Sequence, residues 1–186
     1  MRIGFVIYQG MTALDFIGVY DPLTRLKTMG LMPELEWDIC AHSSEVKDST
    51  GLVFTPTKVR ESLGGYEMII IPGGLGSREL VGDEEFIGWL KSSEPCRLKA
   101  SVCTGSLLLG AAGFLKGKKA TTHPEAFDKL REFCSAVVDR RIVDEGDVIT
   151  ARGVSSSIDL GLYLCEKLAG RDAEERIRRQ IDYLSR

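Results

Sequence analysis

Apolar and polar positions along this chain follow two rhythms. Short apolar runs rich in β-branched residues stop at glycine, proline or small polar residues. Between them apolar residues recur every three or four positions. Residues 3–8, 35–40, 66–71 and 96–103 read as strands. The third, within "YEMIIIPGG", is a continuous run of the kind found where a strand is covered on both faces. Helical spacing covers 12–28 (Leu14, Ile17, Leu23, Leu26), with Asp21-Pro22 marking a candidate kink. It returns near 83–92, 104–113 and 155–168, and from Pro124, well placed in a first helical turn. Residues 43–57 predict a hairpin or flanking strands around Ser49-Thr50-Gly51. Short strands are predicted at 118–124 and in 135–151, the latter turning at Asp144-Glu145-Gly146-Asp147. A last, highly charged helix spans 172–184, with Ala173, Ile177, Ile181 and Leu184 on one stripe. Its charged face reads as solvated surface, with a partner-helix role as the other reading.

Strands alternating with helices predict an open, mostly parallel α/β sheet with helices on both faces. One domain over residues 1–186 accommodates it, without repeats or a linker.

Composition narrows the function classes. Charged residues make up 27% of the chain and the net charge is −3, which gives no pull towards nucleic acid or an anionic membrane. The N-terminal apolar run is too short for a signal peptide, and no window approaches a membrane span. The expected location is the cytoplasm. Five cysteines (Cys40, Cys96, Cys103, Cys134, Cys165) in a reducing compartment are thiols, not a disulfide frame. With no metal-ligand spacing and two histidines, His42 and His123, no metal is expected.

An open α/β sheet binds ligands beyond the carboxyl ends of its strands, where loops turn into helices. Three chemically useful turns arrive there. The first is Ser101-Val102-Cys103-Thr104-Gly105, with the small-x-nucleophile-x-Gly form of a strand-to-helix elbow. A helix starting after Cys103 is expected to lower its thiol pKa. The competing reading is a small core thiol, and the spacing favours the nucleophile. The second, "IPGGLG", sets Gly73 and Gly74 at a strand end. There the Gly74 and Thr104 N–H groups are expected to face the sulfur as an anion-binding pair. The third holds Asp15, inside the apolar "TALDFIG". It is either a first-turn acid favoured by the helix dipole or a partly buried acid, its pKa raised, that moves protons for the thiol. His123, at the end of "ATTH", is a further candidate partner of Cys103.

"SVCTGSLLLGAAGFLKGKKATTH", with "IPGG" and "LDFIGVYD", resembles the ThiJ/PfpI superfamily, of class I glutamine-amidotransferase-like fold. It is most similar to the isonitrile hydratase-like branch. The resemblance runs nearly end to end. It implies a flavodoxin-like three-layer sandwich and a homodimer. It implies Cys103 as nucleophile, Asp15 as acid/base, and a Thr104 hydroxyl that supports the acid or the substrate. It also implies a small-molecule isocyanide, water as co-substrate and no cofactor. Two positions depart from that branch. Pro124 follows the histidine where an aromatic is usual, and "ARGVSSS" replaces a glycine-rich segment. Arg152 in that segment either shifts the substrate towards an anion or faces solvent. Glyoxalase-, deglycase- or peptidase-like chemistry and redox sensing through Cys103 are the alternatives. The "LD" and "CT" pairs argue against the other enzymes of the superfamily. Retention of both Asp15 and Thr104 favours turnover over sensing.

Overall fold

The computed structural model describes residues 1–183. Leu184, expected at the end of the last helix, lies outside them. Elements follow in the order β1 (Arg2–Ile7), α1 (Ala13–Thr28), β2 (Glu36–Ala41), β3 (Val46–Lys47), β4 (Val53–Phe54), β5 (Lys58–Val59) and β6 (Met68–Ile71). Next come α2 (Gly76–Leu80), α3 (Glu84–Lys91), β7 (Leu98–Val102), α4 (Gly105–Ala111), β8 (Lys119–Ala120), α5 (Phe127–Leu130) and β9 (Ala136–Val137). β10 (Ile142–Asp144), β11 (Val148–Ala151), α6 (Ser156–Ala169) and α7 (Arg171–Gln180) complete the order.

Seven strands form one sheet in the order β10-β11-β7-β6-β1-β2-β5. All pairs are parallel except β10 with β11. The fold is a flavodoxin-like α/β sandwich, with helices on both faces. Burial of every residue of β6, β7 and β11 follows from that double cover. α1, α6 and α7 pack against one another, while α2 and α5 pack on α4. α1 runs unbroken through Pro22, so the candidate kink does not end the helix. Asp83 starts α3 by accepting the Phe86 N–H on its side chain at 3.0 Å, and Phe86, Ile87 and Leu90 turn inward. The expected hairpin forms as the antiparallel pair β3–β4. Among the described residues no helix is long and apolar enough to cross a membrane.

Chain direction across the sheet reverses at β1. From β1 the chain steps one way to β2 and the other way to β6, β7 and β11. The register sets Phe5 beside Ile70, and Ile71 beside Ser101. The carboxyl ends of β1, β6 and β7 therefore meet at one edge, the crevice where such sheets hold ligands.

Candidate active site at the Cys103 elbow

Cys103 follows β7 directly and has φ +53°, one of three non-glycine residues with positive φ among those described. Such a conformation strains an L-residue, so the surroundings must hold it. Its N–H is given to the Ala151 carbonyl at 3.0 Å. Its carbonyl accepts the Thr122 hydroxyl at 2.9 Å and the Ser106 hydroxyl at 3.1 Å. The bend is thus tied on both sides of the cysteine.

Gly73 makes room for this elbow. A Cβ there would stand 2.5 Å from the Thr104 nitrogen and 2.8 Å from the Cys103 Cβ. Gly74 has φ +130°, and a Cβ would meet the Gly10–Thr12 backbone at 2.5 Å. The β1 and β6 turns are therefore pressed together without side chains between them.

Asp15 lies in the first turn of α1 and is fully buried. Its Oδ2 accepts the Gly73 N–H at 2.9 Å. Its Oδ1 is buried without a backbone or hydroxyl donor, and the carboxyl faces the Cys103 thiol. Burial pushes the Asp15 pKa up to about 6, against the pull of the Gly73 N–H and the thiol. On Cys103, burial first and then the Asp15 charge push the thiol up to about 12. The Thr104 N–H and hydroxyl pull it partly back. The expectation of an acidified thiol is thus overturned. The short α4 and one amide do not offset the loss of water and a carboxylate neighbour.

The expected residues are largely brought together. Gly74, Cys103, Thr104 and His123 line one cavity of about 190 Å³, with Thr12, Leu75, Arg78, Glu125 and Val154. The Gly74 N–H, expected on the sulfur, is given instead to Thr104 Oγ1 at 3.0 Å. His123 uses its Nδ1 to accept the Glu125 N–H at 3.4 Å and so is turned to its own turn rather than to the thiol. Arg152 is drawn away from the cavity: its Nε donates to Asp139, and its guanidinium lies 5.9 Å from the Phe127 ring centroid. The cation at the cavity is Arg78, which sequence reasoning passed over with the rest of α2. Ser77 and Tyr8 were missed as well. Tyr8, buried against Asp15 and Cys103, donates its hydroxyl to the Pro72 carbonyl at 2.7 Å. A larger cavity, about 480 Å³, lies at the opposite end of the sheet, near Met1, Glu67, Arg97 and Gly146, each just before a strand. No thiol lines it. Among the described residues no three histidine, cysteine or acidic side chains cluster as a metal site.

The arrangement is a thiol on the wall of a small cavity, with a buried base, Asp15, facing the thiol but not lining the cavity. It can take a proton from sulfur as the sulfur attacks, and return it to what has been attacked.

Known proteins match this chain along most of its length. The DJ-1/PfpI family profile covers residues 1–167. An isonitrile hydratase of Pseudomonas putida is 36% identical over 98% of this chain and 78% of its own. The Drosophila melanogaster protein DJ-1alpha is 27% identical over 92% of this chain and 79% of its own. Among solved structures, a ThiJ/PfpI family protein from Pseudomonas syringae superimposes with a TM-score of 0.88 at 29% identity, over 100% of this chain and 76% of that one.

Proposed function

The chain belongs to the DJ-1/PfpI family, and on that premise we propose that it hydrates a small electrophile at Cys103, in an isonitrile hydratase-like reaction that turns an isocyanide and water into an N-formamide. One observation carries the reading: the fully buried Asp15 carboxylate facing the Cys103 thiol. Its pKa of about 6 suits a group that must both accept and return a proton near neutral pH.

The steps balance as follows. Asp15 takes the thiol proton while the Cys103 sulfur bonds to the terminal carbon of R–N≡C. The proton passes to that carbon, giving the thioimidate Cys103–S–CH=N–R. Asp15, again a carboxylate, takes a proton from water as the water oxygen adds to the same carbon, and passes that proton to the nitrogen, giving Cys103–S–CH(OH)–NH–R. The C–S bond then breaks as the hydroxyl becomes the carbonyl. R–NH–CHO leaves, and the hydroxyl proton, taken by Asp15, returns to the sulfur. The covalent intermediate divides one difficult addition into two easier ones. The Thr104 N–H and hydroxyl steady the sulfur whenever it carries charge.

A redox-sensing role needs a thiol that ionises readily, because the thiolate is what peroxide oxidises. A thiol held near 12 until a base serves it supports turnover instead. A peptidase dyad needs a histidine on the sulfur, and His123 is turned elsewhere. The cavity, about 190 Å³, is smaller than a drug-sized site and favours a compact R group.

The working unit is a homodimer. Leu14 and Ile17 on α1 are 48% and 41% exposed, and Leu52 and Val53 in the β3–β4 hairpin are 54% and 49% exposed. A bridge between Met11 and Asp48 ties that hairpin to the start of α1, and these exposed side chains suit a second copy.

The test is formamide release from short alkyl and aromatic isocyanides, wild type beside Cys103→Ala. Release by the wild type alone supports the reading. Equal release by both, or none from any isocyanide, overturns it.

A further inference from the structure

The turn after β6 holds a group that the reaction above leaves idle. Ser77, the second residue of α2, is fully buried. Its Oγ lies 2.7 Å from the Gly74 carbonyl oxygen and 2.8 Å from Thr104 Oγ1. Thr104 Oγ1 lies 3.1 Å from the same carbonyl and accepts the Gly74 N–H at 3.0 Å. Two hydroxyls and one carbonyl therefore close a triangle.

Each hydroxyl has one proton to give, and the carbonyl has none. The two protons can be placed in three ways. Thr104 donates to the Gly74 carbonyl and Ser77 to Thr104, or Ser77 donates to the carbonyl and Thr104 to Ser77; both leave the sulfur without a hydroxyl and suit a thiol. In the third, Ser77 donates to the Gly74 carbonyl and the Thr104 proton turns to the Cys103 sulfur beside it, which suits a thiolate.

We infer that Ser77 is a positioning residue: it satisfies the Gly74 carbonyl so that the Thr104 hydroxyl can turn to the sulfur as negative charge forms there. Ser77 itself touches no substrate. A bond made only when the sulfur is charged raises kcat and leaves KM alone. The inference rests on Cys103 as the reacting group, but not on which electrophile it attacks.

Alkylation by iodoacetamide reads the charged sulfur directly. The Cys103 peptide is followed by mass spectrometry at several pH values between about 7.5 and 9.5, where the rate tracks the thiolate fraction. Asp15 from α1 and Tyr8 from the end of β1 face the sulfur, with Arg78, His123 and Glu125 at the cavity wall. None of them is replaced in the variants; Ser77 also hydrogen-bonds Tyr8, and the Thr104→Val background separates that contact from the one proposed. In Ser77→Ala the Gly74 carbonyl keeps the Thr104 proton, so Cys103 should alkylate about tenfold more slowly at each pH, one hydrogen bond's worth. In a Thr104→Val background the same substitution should change nothing further. If Ser77→Ala folds poorly, Ser77→Cys keeps the volume with a weaker donor, and the separate peptides distinguish its thiol from Cys103. An unchanged Cys103 rate overturns the inference, as does a loss of the same size in the Thr104→Val background. Because no isocyanide is used, a failure of the hydratase reading leaves this result interpretable.

Discussion

At the scale of single residues, Asp15 and Cys103 titrate as a pair, and burial governs both. The carboxylate is buried, so its charged form is disfavoured, and the thiol next to a negative charge holds its proton. Folding therefore prefers a protonated Asp15. The unfolded carboxyl titrates near 4 and the folded one near 6, so the folded chain binds more protons across that window. Stability contributed by Asp15 is fully present below about pH 4 and is lost as the pH rises through about 6. Asp15→Asn should then be more stable than wild type at pH 7, by up to about 3 kcal/mol. The difference should vanish near pH 4, as denaturant melts at the two pH values would show. The same substitution should lower kcat by roughly 10²–10⁴, and should remove the acid limb near pH 6 from the rate profile. A variant stabilised and inactivated together is the signature of an acid kept in an unfavourable place for its chemistry. A variant equally stable at both pH values would show that burial does not perturb this carboxyl.

At the scale of elements, the site depends on two turns that approach without side chains. Gly73→Ala would drive a Cβ to 2.5 Å from the Thr104 nitrogen. We expect a loss of about 1–3 kcal/mol, as for other overpacked positions, together with loss of turnover. Thr122→Val is the milder test. It removes the hydroxyl from the Cys103 carbonyl at 2.9 Å and should cost about 1–2 kcal/mol, with kcat falling more than KM rises. A rate unchanged in Thr122→Val would mean the elbow holds its own geometry. Much of this level was legible in the sequence. The elbow and the two glycines stand where apolar runs stop at strand ends, the buried acid breaks an apolar run early in a helix, and those interruptions are what betray them. α2 was not legible: Gly76–Leu80 is too short for a helical period, and its first residue is glycine. Ser77 and Arg78 went unseen with it. Thr122 was quoted in a motif, but its bond to the elbow spans 19 positions of chain, and no local pattern encodes that.

At the scale of the whole molecule, the alternation of strands and helices was enough to give the parallel sheet and the edge where Cys103 and Gly74 gather. Thiol acidity was not legible, because it depends on how much water the fold removes. The fate of Arg152 depended on Asp139, a partner on a neighbouring loop. The exposed apolar side chains on α1 and the hairpin carry their own expectation. Sedimentation should give twice the chain mass, and Ile17→Lys should shift it towards a single chain; a monomeric wild type would leave them unexplained. The most direct measurement is the intact mass of the protein mixed with a short alkyl isocyanide and quenched during turnover. One added isocyanide, mapped to the Cys103 peptide and absent in Cys103→Ala, is the expected result. Formamide released at full rate by Cys103→Ala, with no adduct on the wild type, would contradict the sulfur's role as nucleophile.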